Sequence, residues 1–562
     1  MRLRTTAHLL TVTAIALCSV ARGQSNGDEV LYNGIRLTSP WPPFRESLPL
    51  EPPPDPPYLT APPAVIPIDI GRQLFVDDFL IEETSLKRTF HPATYWPENP
   101  VLKPDRPWEQ KSLFGGDPGY TSAMPYSDGI WYDPKDRLFK MWYMGGYSLA
   151  TCYATSKDGI DWDKPSLDVQ PGTNIVHPDN LDCATVWLDL EEQDPRRRYK
   201  MIRFPAPRHR IVKWLVSVHF SADGIHWSAP VVVRPVLTRT TFFYNPFRKI
   251  WAFSIRHGIL DMESLYNVKS WRSRTYWENA DFLAASLWSP GDPGLWVGAD
   301  RLDAPAGVKK YAEMYNVDAI AYESVMLGLF TVYRGYFGDS NRPKHNEIEV
   351  GFSRDGWHWS RTQRQAFIPV SERGGAWNWG NVQSAGGCCL VVGDKLYFYV
   401  SARTDTPGPR GKSAQTASTG LATLRRDGFA SMSADVKEGQ LTTRPVRFSG
   451  KHMFVNVGAK DGELCVEILD PNGNVIAPFT RENCVTVSTD KTLQAVSWRG
   501  AEDLSALSGQ IVRFRFYLRD GDLYAFWVSP DASGASHGYV GAGGPGFTGP
   551  TDTVGSRGHP KN

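Results

Sequence analysis

Apolar positions along this chain come in short runs bounded by turn residues, the pattern of β-strands and not of helices. Ile130-Trp131-Tyr132-Asp133 passes through a Pro- and Asp-bearing turn into Phe139-Lys140-Met141-Trp142-Tyr143. The figure returns in Thr185-Val186-Trp187-Leu188 with Tyr199-Lys200-Met201-Ile202, and in Phe242-Phe243-Tyr244 with Ile250-Trp251-Ala252-Phe253. It returns again in Ala321-Tyr322-Glu323-Ser324-Val325 with Leu329-Phe330-Thr331-Val332-Tyr333, and in Cys389-Leu390-Val391-Val392 with Leu396-Tyr397-Phe398-Tyr399-Val400. A second signature closes most of these units: Ser-x-Asp-Gly-x-x-Trp at 156–162, 221–227 and 353–359, with a decayed copy at 423–429. Asp folds its carboxylate onto nearby backbone N–H groups, Gly takes a positive φ and Trp packs under the next strand, so the motif reads as a tight hairpin. A hairpin that recurs at the same place in each unit marks a repeat architecture. Five units of about four strands predict an all-β chain with a five-bladed β-propeller over 68–430.

Past residue 431 the pattern changes. Ile511-Val512-Arg513-Phe514-Arg515-Phe516-Tyr517-Leu518-Arg519 alternates apolar and polar, Asp520-Gly521 reverses the chain, and Leu523-Tyr524-Ala525-Phe526-Trp527 returns. Such a half-exposed antiparallel sheet predicts a C-terminal β-sandwich over 431–530. Residues 24–67 read as a Pro-rich linker or wrapping arm, since Pro52-Pro53-Pro54-Asp55-Pro56-Pro57 cannot enter a sheet interior. The Gly- and Ser-rich residues 531–562 lack apolar material to fold around and are expected to be disordered.

Aromatic residues make up 12% of the 562, and Gly (50) and Pro (43) are plentiful, as many short strands and tight turns require. Lys+Arg 61 against Asp+Glu 60 leaves no excess charge for a nucleic acid or a membrane surface. Arg2 and Arg4, an apolar run over 7–17 too short to span a bilayer, and small residues at Ala21 and Gly23 read as a signal peptide over 1–23. The chain is therefore expected to be secreted or periplasmic, and Cys465 and Cys484, in neighbouring strands of the second domain, are the expected disulfide. Zinc-ligand spacing, a Gly-x-Ser-x-Gly elbow, a P-loop and a dinucleotide fingerprint are all missing, so no cofactor or metal is expected and esterase and nucleotide-dependent readings fall away.

The innermost strands of a propeller surround a channel with a polar, concave mouth, so acids on or just before first strands are the candidate chemistry. Asp77 and Asp78 fall in an early strand over 74–81, Asp117 precedes the first unit, Asp182 precedes the second unit's inner strand and Glu323 lies within the fourth's. In so apolar a strand the Glu323 carboxylate must be solvated by the channel, at work, or paired, with Arg334 or Arg256 as the partner in the last case. Trp108, Trp377 and Trp379 offer faces on which a sugar can stack, with Glu109 and Asp117 as polar contacts, and carbohydrate is the expected partner. Asp158, Asp223 and Asp355 of the repeated hairpins are read as turn formers, not as acids.

Several stretches carry a resemblance: Leu74-Phe75-Val76-Asp77-Asp78-Phe79-Leu80-Ile81, Asn99-Pro100-Val101-Leu102 with Trp108-Glu109, the repeated Lys-Met-Trp-Tyr type strand, and the segments 353–359 and 420–429. In these the chain resembles secreted bacterial proteins described as glycosyl hydrolase family 32-like, related to families 32 and 43. The resemblance runs from about residue 70 to 530. It implies a five-bladed propeller with an early Asp, a second Asp and a Glu general acid, and for family 32 a C-terminal β-sandwich. The Trp-x-Asn-Asp-Pro-Asn, Arg-Asp-Pro and Glu-Cys motifs of family 32 are absent, so roles follow chain order alone: Glu323 as proton donor, Asp77 or Asp78 as base or nucleophile, Asp182 as positioning carboxylate. The expectation is a secreted glycoside hydrolase acting on a poly- or oligosaccharide. Its rivals are a non-catalytic carbohydrate- or partner-binding propeller and a polysaccharide lyase.

Overall fold

The computed structural model describes residues 28–113, 120–205, 215–235, 239–259, 271–289, 291–304, 312–335, 345–405 and 415–558. The chain is nearly all β; the α-helices among the described residues are single turns, Pro57–Thr60 and Phe282–Ala285. One four-stranded antiparallel sheet holds Cys183–Leu188, Tyr199–Phe204, Leu215–Ser221 and Val232–Pro235; a second holds Thr241–Asn245, Ile250–Ile259, Trp271–Asn279 and Gly294–Val297. Three further antiparallel groups begin at Thr121–Met124, Glu313–Glu323 and Asn381–Ser384. Short parallel pairings, Thr416 and Ala417 with Thr121 and Ser122 and Asn346 with Asn381, join them into one fourteen-stranded sheet.

Of the remaining strands, Glu29–Val30 and Arg36–Leu37 pair with each other and the others form two six-stranded sheets. Ile511–Arg519 lies in one and Gly521–Ser529 in the other, and the predicted alternation holds: Val512, Phe514, Phe516 and Leu518 are buried while the residues between them are not. Phe526 of the facing sheet meets Phe516 at 5.3 Å and Phe514 at 5.6 Å. Both sheets also recruit N-terminal strands. Gln73–Leu74 and Lys87–Phe90 join one, Ile66–Pro67 and Ile81–Thr84 the other. The continuous strand expected over 74–81 is thus two short strands with a bend between them, and it belongs to these sheets and not to the repeated units. Its apolar run is explained by Phe75, which stacks on Phe526 at 5.7 Å.

The repeated hairpin does what its sequence requires, and more. Asp158, Asp223 and Asp355 each accept two backbone N–H bonds at 2.8–2.9 Å, each Ser hydroxyl accepts the Gly N–H, and the three glycines take φ of 79°, 82° and 82°. The turn also docks on the neighbouring strand group. Trp142 Nε1 donates to the Gly224 carbonyl at 2.7 Å, Tyr399 Oη to that of Gly159 at 2.6 Å, and Trp296 Nε1 to that of Trp357 at 2.8 Å. The motif is therefore a latch between adjacent groups. In the decayed copy Asp427 itself takes the positive φ, at 61°, and its carboxylate is buried against Arg72.

Residues 531–558 are not the disordered tail expected. Tyr539–Val540 pairs with Tyr322 and Glu323, and Phe547 is buried. Their glycines serve close approach: a Cβ on Gly544 would stand 1.7 Å from the Val391 carbonyl oxygen, and one on Gly538 2.5 Å from the Gly71 Cα. The Pro-rich arm wraps the body, with Tyr32 stacked on Phe247 at 4.2 Å and Arg45 over Trp357 at 4.4 Å. Cys465 and Cys484 lie within hydrogen-bonding reach but are free thiols, so the expected disulfide is not formed in this structure. The expected signal peptide lies outside the described residues.

Candidate functional site

The strands Thr121–Met124, Cys183–Leu188, Thr241–Asn245, Glu313–Glu323 and Asn381–Ser384 each open a strand group, and side-chain hydrogen bonds link the groups near them. Asn316 Nδ2 donates to Ser127 Oγ at 2.8 Å, Thr241 Oγ1 to the Val317 carbonyl at 2.6 Å, Ser384 Oγ to Asp318 at 2.6 Å, and the Ala184 N–H to Asp128 at 2.8 Å. The axis between them is polar and dry. Burial pushes the Asp318 carboxyl up to about 6 despite the Ser384 hydroxyl and the Arg274 charge. It likewise pushes Arg274 down to about 9 and Arg203 down to about 10.

Charged and aromatic groups gather at a mouth near the N-terminal ends of Thr241–Asn245 and Glu313–Glu323. Arg239, two residues before the strand that opens with Thr241, lies with its guanidinium 3.6 Å over the Tyr126 ring and 3.8 Å from Asp182. Arg403 reaches the same tyrosine at 5.1 Å and donates to Tyr147 Oη at 3.2 Å. Arg272 pairs with Glu313 and lies 5.5 Å over Tyr315 and 5.4 Å over Tyr333. Arg256 joins the two halves: burial, reinforced by the Arg272 charge, lowers its pKa, and Tyr315, Arg239 and Asp182 are within electrostatic range. Tyr120 packs on Tyr147 at 5.2 Å. The opposite end is closed by the C-terminal segment, leaving a cavity of about 50 Å³ among Trp131, Trp187, Tyr244 and Tyr539, room for a few waters and for no sugar ring.

The structure disperses the residues singled out from sequence. Asp182 is at the mouth, its side chain 21% exposed. Glu323 is at the other end of its strand, ten residues or roughly 33 Å from Glu313. It occupies a hairpin turn with φ of 49°, not a strand interior, and has no exposed surface. Ser536 Oγ donates to it at 2.7 Å and Arg426 at 3.1 Å, with Arg72 Nε 3.5 Å away; Arg72 and Arg426 take the place of the Arg334 or Arg256 considered from sequence. Asp77 is held by Arg354 at 2.8 and 2.9 Å and is buried, while Asp78 is 69% exposed beside Arg88; neither approaches the strand axis. Glu109 accepts from Tyr143 at 2.6 Å and Lys164 at 2.7 Å with no exposed surface, and Trp108 Nε1 donates to Asn174 at 3.1 Å, so both brace the outer part of the first group. Trp377 lies against Gly420 and meets Tyr95 at 5.5 Å. Trp379 is buried, and Asp117 lies outside the described residues.

Sequence reasoning missed Arg239, Arg272, Arg403, Glu313 and Asp318. One signal was legible: Asn316 and Asp318 alternate with apolar residues in Glu313–Glu323, which places them on one face. The arginines carried none, since neither spacing nor periodicity links Arg239, Arg272 and Arg403. Among the described residues no cluster of three or more His, Cys, Asp or Glu is arranged to hold a metal ion, and no helix is long and apolar enough to cross a membrane.

No family model matches the chain, and no curated protein matches it in sequence. Among solved structures it is similar to an N-acetylgalactosamine deacetylase from F. plautii in complex with blood group B trisaccharide, at 13% identity and a TM-score of 0.39, over 58% of this chain and 97% of that one. It is similar to a thermostable family-43 glycoside hydrolase at 12% identity and a TM-score of 0.38, over 56% and 94%. A fructofuranosidase from Schwanniomyces occidentalis complexed with fructosylnystose matches at 10% identity and a TM-score of 0.34, over 77% and 96%.

Proposed function

We propose that the five strand groups are blades of a propeller ending near residue 430, that the two six-stranded sheets form a β-sandwich, and that the chain is an exported glycoside hydrolase working at the mouth of the propeller. The observation that carries the proposal is the convergence of Asp182, Glu313 and a ring of tyrosines on one end of the axis from separate strand groups. Glycoside cleavage needs two carboxylates flanking the bond and flat faces that hold the sugar. Asp182 and Glu313 are the carboxylates in this reading; Asp182 moves from positioning group to reacting group, and Glu313 replaces Glu323. Asp182→Asn and Glu313→Gln should each lower hydrolysis of a cleavable oligosaccharide by roughly 10²–10⁴-fold with the fold intact. Hydrolysis undiminished in either variant sinks that assignment.

A second reading, a non-catalytic carbohydrate-binding propeller, is favoured by one observation: both carboxylates are engaged by arginines, Asp182 by Arg239 and Glu313 by Arg272, as in a structural ion pair. Glycan binding without product over long incubation would establish it.

A further inference from the structure

We propose that a cleft between the N-terminal arm and the strand group opening with Thr241 binds a neutral saccharide, at a place separate from the mouth and with no need of activity there. Arm residues 42–46 pass beside the edge strand Gly294–Val297 and its neighbour Trp271–Asn279, and together they enclose a cavity of about 340 Å³. That volume is at the small end of the range for small-molecule sites. The arm is held where it crosses. Trp41 is buried 6.3 Å from Trp357, and Arg45 Nη1 donates to the Trp296 carbonyl at 3.0 Å while its guanidinium lies over Trp357. Trp277, which lines the cleft, is five residues past Arg272 in one strand, roughly 16 Å along it, so the cleft and the mouth are distinct.

The lining decides the ligand. Phe44 is 84% exposed, the most exposed of the large hydrophobic residues described and the only aromatic among the exposed ones. Trp277, half-buried, brings a second ring from the body of the protein. Glu46 is exposed and has no hydrogen bond or ion pair among the described residues, and Asp292 spends one oxygen on the Ser289 N–H at 2.7 Å. Glu278, the third carboxylate of the cleft, is taken by Arg248 at 2.7 and 2.9 Å. Two carboxylates with oxygens to spare repel an anion, and a wholly apolar ligand would strip their water and replace it with nothing. Arg45, in the same cleft, offsets one of the two charges and so weakens the case for a cationic peptide. What remains is a ligand with an apolar face and hydroxyl donors at its edge. A sugar ring has both: its C–H face packs on Phe44 and Trp277, and its hydroxyls donate to Glu46 and Asp292.

The experiment is calorimetric titration of the purified full chain with cellohexaose, xylohexaose and mannohexaose, and with hexalysine as the cationic peptide. Product release is followed in parallel by mass spectrometry. At least one hexasaccharide should bind with a Kd below about 1 mM. Phe44→Ala should weaken that binding by about tenfold, with product release from the same sugar unchanged. Gly294 also lines the cleft, and a Cβ added there would have nothing within 4 Å. Gly294→Leu therefore fills the space without a clash at its root, should weaken binding by about tenfold or more, and covers the case in which the other variant fails to fold. The Phe44-dependent binding should persist in Asp182→Asn. No hexasaccharide bound, binding unchanged in both folded variants, or binding of hexalysine alone overturns the proposal. The two readings fail separately: Phe44-dependent binding without product removes the hydrolase and keeps this inference, while cleavage with no Phe44-dependent binding does the reverse.

Discussion

Gly224→Ala tests the latch between strand groups. Gly224 has φ of 82°, so any L-residue there pays backbone strain of about 1 kcal/mol. The added Cβ would also stand 2.4 Å from Cζ2 of Trp142, a side chain with no exposed surface, whose Nε1 donates to the Gly224 carbonyl at 2.7 Å. Relieving that overlap displaces a packed indole, about 1–3 kcal/mol, and stretches a buried hydrogen bond whose loss costs about 1–3 kcal/mol. Gly172 supplies the control. Its φ is 80°, yet a Cβ there has nothing within 4 Å, so Gly172→Ala carries the backbone strain alone. The expected outcome of urea unfolding followed by tryptophan fluorescence is a loss of about 1 kcal/mol for Gly172→Ala and about 3 kcal/mol more for Gly224→Ala. Equal losses would mean that the hairpin is only a turn and holds no neighbour.

Glu323→Gln should lower stability by about 3 kcal/mol, because Arg72 and Arg426 lose a buried counter-charge; glycan binding per folded molecule should be unchanged, and a selective loss of binding at full stability would return Glu323 to the site. The carboxyl of Asp318 is raised from 3.8 to about 6, so the folded state holds its proton more tightly than the unfolded state does. Its contribution to stability is complete below about pH 4 and lost as pH rises through about 6, a change of about 3 kcal/mol that Asp318→Asn should abolish in urea midpoints taken along the pH series. The Cys465 thiol is lowered to about 6, chiefly by its hydrogen bond with Cys484, so alkylation of Cys465 should have its midpoint near that pH and shift upward in Cys484→Ala; an unshifted midpoint refutes the pairing.

What was legible in the sequence was local. The Asp-Gly turns, the alternation in Ile511–Arg519 and most of the paired strands follow from residue type and period alone. Three misreadings share one cause, long-range pairing that leaves no periodic trace. The run 74–81 looks like one strand until two different sheets recruit its ends within Gln73–Leu74 and Ile81–Thr84. The glycines of 531–558 have the composition of a disordered tail, although several are needed because backbone from distant segments passes within contact distance. Tyr322-Glu323-Ser324-Val325 has the hydrophobicity of a strand interior because the turn it forms is buried beneath the pairing with Tyr539–Val540.

One strand shows why an acid's place along a strand decides its use. Glu313–Glu323 carries Glu313, Asp318 and Glu323, spaced five residues or roughly 16 Å apart. At the far end Glu323 has no exposed surface and is bound by two arginines and a serine, so its proton equilibrium is tied to folding and no substrate can reach it. In the middle Asp318 is 3% exposed and satisfied by Ser384 and Asn316; it can change charge only at a cost to stability. At the start of the strand the Glu313 side chain is 13% exposed, and Asp182 of another strand group is 21% exposed, so these carboxylates reach solvent. Access to water, set by position along the strand, therefore separates the acid proposed above to act on a glycan from the two whose charges are committed to the folded structure.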